Sequence, residues 1–147
     1  MAKAGVNTGA VFEQLFNTVL AMKGYRIIAR QEYEPFIPLS ISGGKHRPDK
    51  IIETPDERWL ILSKKWQETP GTAEQKVPFE VIKLIDTVNK SNNKFPYAYL
   101  ILGGEGWTPK LKDFYLTGGL NQYINGYHLV RIVNSDQFLT LVNRNKL

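Results

Sequence analysis

The chain has 147 residues, 42% hydrophobic and 22% charged, and its 19 Lys and Arg against 14 Asp and Glu give a net charge of +5 and a pI near 9.4. That length suits a single domain within the usual ~100–200 residues, while the absence of cysteine excludes a disulfide framework, a zinc ribbon and a thiol nucleophile. No apolar run approaches the ~20 residues of a membrane helix and Met1–Gly5 lacks the apolar core of a signal peptide, so an intracellular protein with a polyanionic partner is expected.

Residues 1–7 read as a loose leader. Thr8 then caps a helix running to about Lys23, in which Val11, Phe12, Leu15, Phe16, Val19, Leu20 and Met22 recur at the three- and four-residue steps of one buried face. Glu13 lies off the centre of that stripe and reads as a solvated carboxylate. Gly24 ends the helix. Tyr25–Arg30 begins a strand that extends to Glu34, and Phe36–Ile41 is a second extended piece, which Pro38 places at an edge. Ser42–Arg47 is a basic loop in which Gly43 and Gly44 permit close backbone approach and Lys45 and Arg47 can reach phosphates; the alternative is an ordinary hairpin loop. His46 within it reads as exposed and idle.

Asp49 opens the short run Lys50–Glu53, which the polar turn Thr54–Arg58 separates from Trp59–Trp66, the pattern of strand, hairpin turn and strand. Alternation puts Ile61, Ser63 and Lys65 on one side of the second strand and Lys64 on the other. A carboxylate heading one strand and an ammonium on the next then meet at a common point. After a turn at Gln67–Gly71, Thr72 caps a helix to about Asn89, with Gln75 at N3 and Val77, Val81, Leu84, Ile85 and Val88 inward. Pro78 calls for an irregular first turn or a later start.

Tyr97–Leu102 is a nearly continuous apolar run, the mark of a central strand buried on both faces. Gly103–Trp107 lacks the spacing of a phosphate loop and reads as a flexible exit. A helix over Thr108–Tyr115, a segment Leu120–Ile124, a strand Tyr127–Val133 containing His128, and a closing helix capped at Asn134-Ser135 complete the chain. This order predicts an α/β sandwich around a mixed sheet.

Pro48-Asp49, thirteen residues, then Ser63-x-Lys65 resembles the PD-(D/E)XK nuclease signature, with serine where that superfamily usually carries Asp or Glu. Gly9–Phe16 and Gly24-Tyr25 are similar to the first helix of Mrr-like and Holliday-junction-resolving members, and the order of elements agrees, so the resemblance spans nearly the whole chain as one domain, 1–147. It implies a restriction-endonuclease-like three-layer sandwich, a central mixed β-sheet flanked by helices. It also implies a Mg²⁺-dependent DNA endonuclease, with Mn²⁺ as substitute, most like a small type II restriction enzyme. In the superfamily a glutamate of the first helix lies near the metal, which makes Glu13 an accessory candidate.

Phosphodiester hydrolysis needs charge stabilised at phosphorus, an activated water and an eased leaving oxygen, all within reach of a bound Mg²⁺, which takes one or two carboxylates plus phosphate and water. Asp49 is the first ligand under this reading, and Lys65 orients or deprotonates the water. Ser63 cannot supply the second carboxylate. Some restriction enzymes with Ser-x-Lys carry that acid on the following helix, which here offers Glu74 and Glu80. Glu74 continues the Val77, Val81, Leu84, Val88 line and is preferred, as catalytic group and metal ligand with Asp49. Glu80, fifteen residues beyond Lys65, is closer to the spacing those enzymes use. Three accounts of Ser63 stay open: a migrated acid, a lost acid on an inactive DNA-binding module, or no nuclease. A double-strand cut of duplex DNA by so short a chain implies a homodimer or higher homo-oligomer; resolving, homing and repair nucleases share the same core.

Overall fold

In the computed structural model, which describes residues 8–147, the apolar runs pair into one sheet of five strands. These are β1 (Arg26–Ile27), β2 (Lys50–Glu53), β3 (Trp59–Trp66), β4 (Ala98–Gly103) and β5 (Val130–Asn134), in that spatial order. β1, β2 and β3 are antiparallel neighbours, whereas β3, β4 and β5 run parallel. Parallel neighbours need long crossovers, and the helices provide them: α3 (Ala73–Lys90) between β3 and β4, α4 (Pro109–Leu116) between β4 and β5. The remaining helices are α1 (Thr8–Met22), α2 (Arg30–Tyr33) and α5 (Ser135–Asn143).

Period-two alternation sorts the strand residues into two cores. Ile51, Ile61, Leu100 and Ile132 pack with Val77, Val81 and Leu84 of α3, while Ile52, Leu60, Leu62, Tyr99 and Ile101 pack with Phe16 and Leu20 of α1 and Phe138 and Val142 of α5. Each fully buried Leu or Ile contributes roughly 1.5–3 kcal/mol, so both helical layers are firmly held; the α/β sandwich expected from the element order, with the three layers that the resemblance implies, is the observed one. β4 is buried along its whole length. The face of α1 is narrower than its apolar count suggests, because Val11, Leu15 and Met22 are exposed. No helix among the described residues is long and apolar enough to cross a membrane.

Several local expectations are corrected, and the expected loose leader lies outside the described residues. The strand expected over Tyr25–Glu34 stops at Ile27: Arg30–Tyr33 is helical and a 3₁₀ turn follows at Glu34–Phe36. Arg30 pairs with Glu34 at 3.0 Å one turn on, Arg26 pairs with Glu32 at 3.0 Å, and Pro35 suits the start of a tight turn. Phe36–Ile41 is no strand; a single antiparallel bridge, Leu39 to Lys45, closes the hairpin that holds the basic loop. Gly119–Gln122 and Tyr127–Leu129 are 3₁₀ turns, so the last strand begins only at Val130. Asn134 does cap α5, reciprocally with Gln137.

Thr72 does not cap α3 with its side chain. Gln67 Oε1 instead accepts the Ala73 N–H at 2.9 Å. The helix also passes through Pro78 rather than starting after it. The missing Pro78 N–H leaves the Glu74 carbonyl without its helical donor, and the Tyr115 hydroxyl of α4 donates to that carbonyl at 2.6 Å. Gly103–Trp107 is a packed segment, not a flexible exit: Gly106 N–H donates to Gln67 O at 2.8 Å, and a Cβ at Gly104, whose φ is +88°, would lie 2.2 Å from that oxygen.

Candidate active site

The β2–β3 ladder ends at the pair Lys50–Leu62, one residue short of Asp49 and Ser63. There the Asp49 side chain takes over from the backbone: Oδ2 accepts the Lys64 N–H at 2.7 Å and faces Ser63 Oγ at 3.5 Å. β3 runs on to Trp66 beside β4, which carries Ser63 and Lys65 past the end of β2 on the α3 face. Here α3 lays down Glu80. This carboxylate is 5% exposed, and each of its oxygens meets two groups. Oε2 accepts from Ser63 Oγ at 2.7 Å and lies 3.4 Å from His46 Nε2; Oε1 lies 3.4 Å from both Lys65 Nζ and Lys83 Nζ.

Burial alone would push the Glu80 carboxyl up, but hydrogen bonds from His46 and Ser63 and the Lys65 charge outweigh it and hold the group well below the usual carboxylate range. Glu80 is therefore ionised at neutral pH. Asp49, Ser63, Lys65 and Glu80 share a cavity of about 270 Å³, whose rim carries Lys45 and Arg47. A second concavity of about 610 Å³ adjoins it through Lys45, His46 and Arg47 and adds Arg30 and Tyr33. Lys45 donates to the Glu34 carbonyl at 3.1 Å and lies 3.5 Å from its carboxylate, whereas Arg47 is exposed.

Thus the structure brings Asp49, Ser63 and Lys65 together as the strand pattern anticipated, and adds Glu80 rather than Glu74. The placement expected for Glu74 is corrected. Its Oε1 accepts from Gln67 Nε2 at 3.0 Å and Thr108 Oγ1 at 3.3 Å, beyond the C-terminal end of β3, and it does not line the cavity. Glu13 lies across the sheet, on the Lys64 side of β3, ion-paired to both Lys50 and Lys64. Burial and the Lys64 charge draw the Lys50 ammonium down to about 8.

His46 and Lys83 were not anticipated. His46 is 7% exposed, not an idle loop residue, because the hairpin folds it onto α3, where Nδ1 meets Thr87 Oγ1 at 3.3 Å. Lys83 was legible in principle, three residues beyond Glu80 and hence on its helix face. For a metal, the donors lining the cavity are the carboxylates of Asp49 and Glu80, the His46 imidazole and the hydroxyls of Ser40, Ser42 and Ser63. No three Asp, Glu, His or Cys side chains converge to enclose an ion among the described residues. Two carboxylates on an open pocket fit a hard cation such as Mg²⁺, which fills its remaining positions with water and phosphate oxygen.

The family model for the PD-(D/E)XK nuclease superfamily domain matches residues 4–146, and the chain belongs to that superfamily. No curated protein and no solved structure matches it. Membership supports a nuclease-like function on nucleic acid, in a superfamily whose members typically use divalent metals.

Proposed function

We propose that the protein is a Mg²⁺-dependent endonuclease of double-stranded DNA, acting as a homodimer in which each subunit cuts one strand. The observation that carries this reading is the meeting of Asp49 and Glu80 on one hydroxyl, Ser63 Oγ, at 3.5 and 2.7 Å, beside Lys65. Asp49 and Glu80 would hold the ion. When bound, Mg²⁺ or its substitute Mn²⁺ would supply Lewis-acid stabilisation of the charge gathering at phosphorus. Lys65 shares the strand face of Ser63 and can hold the attacking water and the scissile phosphate. Ser63 fixes Glu80 by its hydrogen bond and thereby replaces, in two pieces, the acid usual at its position. Lys45 and Arg47 on the rim face the approaching backbone; Arg47→Ala should weaken binding across sequences and reduce the salt slope by about 1.

The test is cleavage of plasmid and junction DNA with Mg²⁺ or Mn²⁺, with Lys65→Ala as the control for contaminants. Cleavage by the parent and by Glu74→Gln, but not by Lys65→Ala or Glu80→Gln, supports the assignment. A second reading, an inactive DNA-binding module, is favoured by Ser63 at the acid position and by the four groups that already surround Glu80. It gains if the parent is inert and Ser63→Glu creates activity.

A further inference from the structure

We infer that His46 is a positioning residue that fixes the plane and direction of the Glu80 carboxylate, doing from the basic hairpin what a strand carboxylate at position 63 would need no help to do. The inference rests on the reading of Glu80 as a metal ligand. An acid on β3 would be aimed by the sheet itself, since at position 63 the backbone is paired with β4 on one side and the Asp49 side chain holds the next N–H on the other. An acid on α3 reaches the same point from the neighbouring layer through three rotatable bonds, and needs partners to define it.

Four groups touch Glu80, and they differ in rigidity. Lys65 and Lys83 are flexible and about a quarter exposed, each 3.4 Å from Oε1. They are free to follow a phosphate. Ser63 and His46 are buried and both address Oε2. His46 is itself pinned: Nδ1 meets Thr87 Oγ1 at 3.3 Å, and that hydroxyl also lies 3.0 Å from the Lys83 carbonyl one turn back. Thr87 and Glu80 stand seven residues apart on α3, so the imidazole spans two turns of one helix face. The basic hairpin is thereby tied to the same helix that carries the acid.

Loss of a partner that orients a metal ligand typically weakens metal affinity ~10–100-fold. The experiment titrates Mn²⁺ into the parent, His46→Ala, His46→Gln and Glu80→Gln by calorimetry without DNA, with circular dichroism as the check on folding. The expected result is Mn²⁺ affinity lowered at least ~10-fold in His46→Ala and largely recovered in His46→Gln, whose amide N–H reaches to nearly the place of Nε2. A residue that merely filled space would not show that rescue. A second measurement needs no metal: the urea midpoints of His46→Ala, Glu80→Gln and the double variant, in chelator. Here the double variant should lose less stability than the two single variants added together, because the His46–Glu80 contact is counted in both.

The two arms separate the possible failures. A parent that binds no Mn²⁺ but shows this non-additivity removes the metal reading and leaves His46 fixing Glu80. A folded His46→Ala with parental Mn²⁺ affinity, or effects that simply add in the urea cycle, overturns the inference.

Discussion

The C-terminal end of β3 carries half-buried charge on both faces, and the two faces solve the problem differently. On the Lys64 face, Lys64 and Lys50 share the single carboxylate of Glu13, with Asn17 adding an oxygen 2.7 Å from Lys50 Nζ. That cluster satisfies itself between α1 and the sheet. On the Ser63 face, Glu80 is surrounded by Ser63, His46, Lys65 and Lys83, yet Asp49 beside it pairs with no cation among the described residues and opens on a cavity. Buried charge by itself does not mark a site; an anion left facing space does. The same strand end thus has a structural side and a side with room for a ligand.

The largest effect that sharpens this contrast is on cleavage. Lys65→Ala should lower the rate by ~10²–10⁴-fold, the usual range for a positioned proton-transfer group, with Glu80→Gln in the same range, in a plasmid assay with Mg²⁺. Lys64→Ala, on the other face, should stay within several-fold of the parent. Equal losses for the two lysines would dissolve the distinction between the faces.

Stability should respond in the reverse sense. Glu13→Ala leaves Lys50, whose side chain is 9% exposed, without its counter-charge, and breaking a buried pair costs about 3–5 kcal/mol. Because Glu13 and Lys64 are more than a quarter exposed, a loss of about 2–3 kcal/mol in urea unfolding is expected, with cleavage by the folded fraction little changed. The faces also act in separate pH windows. The folded-state Glu80 carboxyl is depressed, so its contribution is present above its unfolded value and is lost as pH falls through the acid range. Lys50 is depressed to about 8, so its burial penalty is full below that pH and is relieved as pH rises towards its unfolded value near 10.4. Urea midpoints against pH should therefore show a flatter acid limb for Glu80→Gln and a flatter alkaline limb for Lys50→Met.

The unequal legibility of these residues has a physical basis. Asp49 and Lys65 could be paired from sequence because a strand's period of two and a short hairpin fix both face and height. A helix gives the face but not the height. Glu74 was rightly placed on the inward side of α3, and it is buried, but it lies six residues before Glu80, roughly 9 Å along the axis at 1.5 Å per residue. The start of the helix at Thr72 is legible in the sequence, but the height of that start beside β3 depends on Gln67, whose Oε1 accepts the Ala73 N–H, a contact no pattern in the sequence announces. The burial of His46 escapes the sequence for a related reason. The burial of a loop residue depends on what the loop folds against, here α3, whereas its own neighbours Lys45 and Arg47 are exposed. The α/β sandwich around a mixed sheet and the order of its elements follow from the apolar runs, and its three layers from the family resemblance, while Arg30–Phe36 and Tyr127–Leu129 turn on ion pairs and glycines with little periodicity.

The smallest effect concerns what keeps α3 continuous through Pro78, between these two glutamates. Pro78 removes the N–H that the Glu74 carbonyl would accept, and Tyr115 Oη fills the gap at 2.6 Å. Tyr115→Phe should then cost about 1–2 kcal/mol by leaving a buried carbonyl unpaired. In a Pro78→Ala background the restored N–H supplies the helix's own bond, so the same Tyr115→Phe change should cost less than half as much. Because Glu80 follows Pro78 by two residues, Tyr115→Phe should also slow cleavage several-fold in the parent background, and less in the Pro78→Ala one. A cost for Tyr115→Phe that is the same in both backgrounds would mean that the hydroxyl does not stand in for the missing helical donor, and that the Ser63 face does not depend on α4 to hold its acid in register.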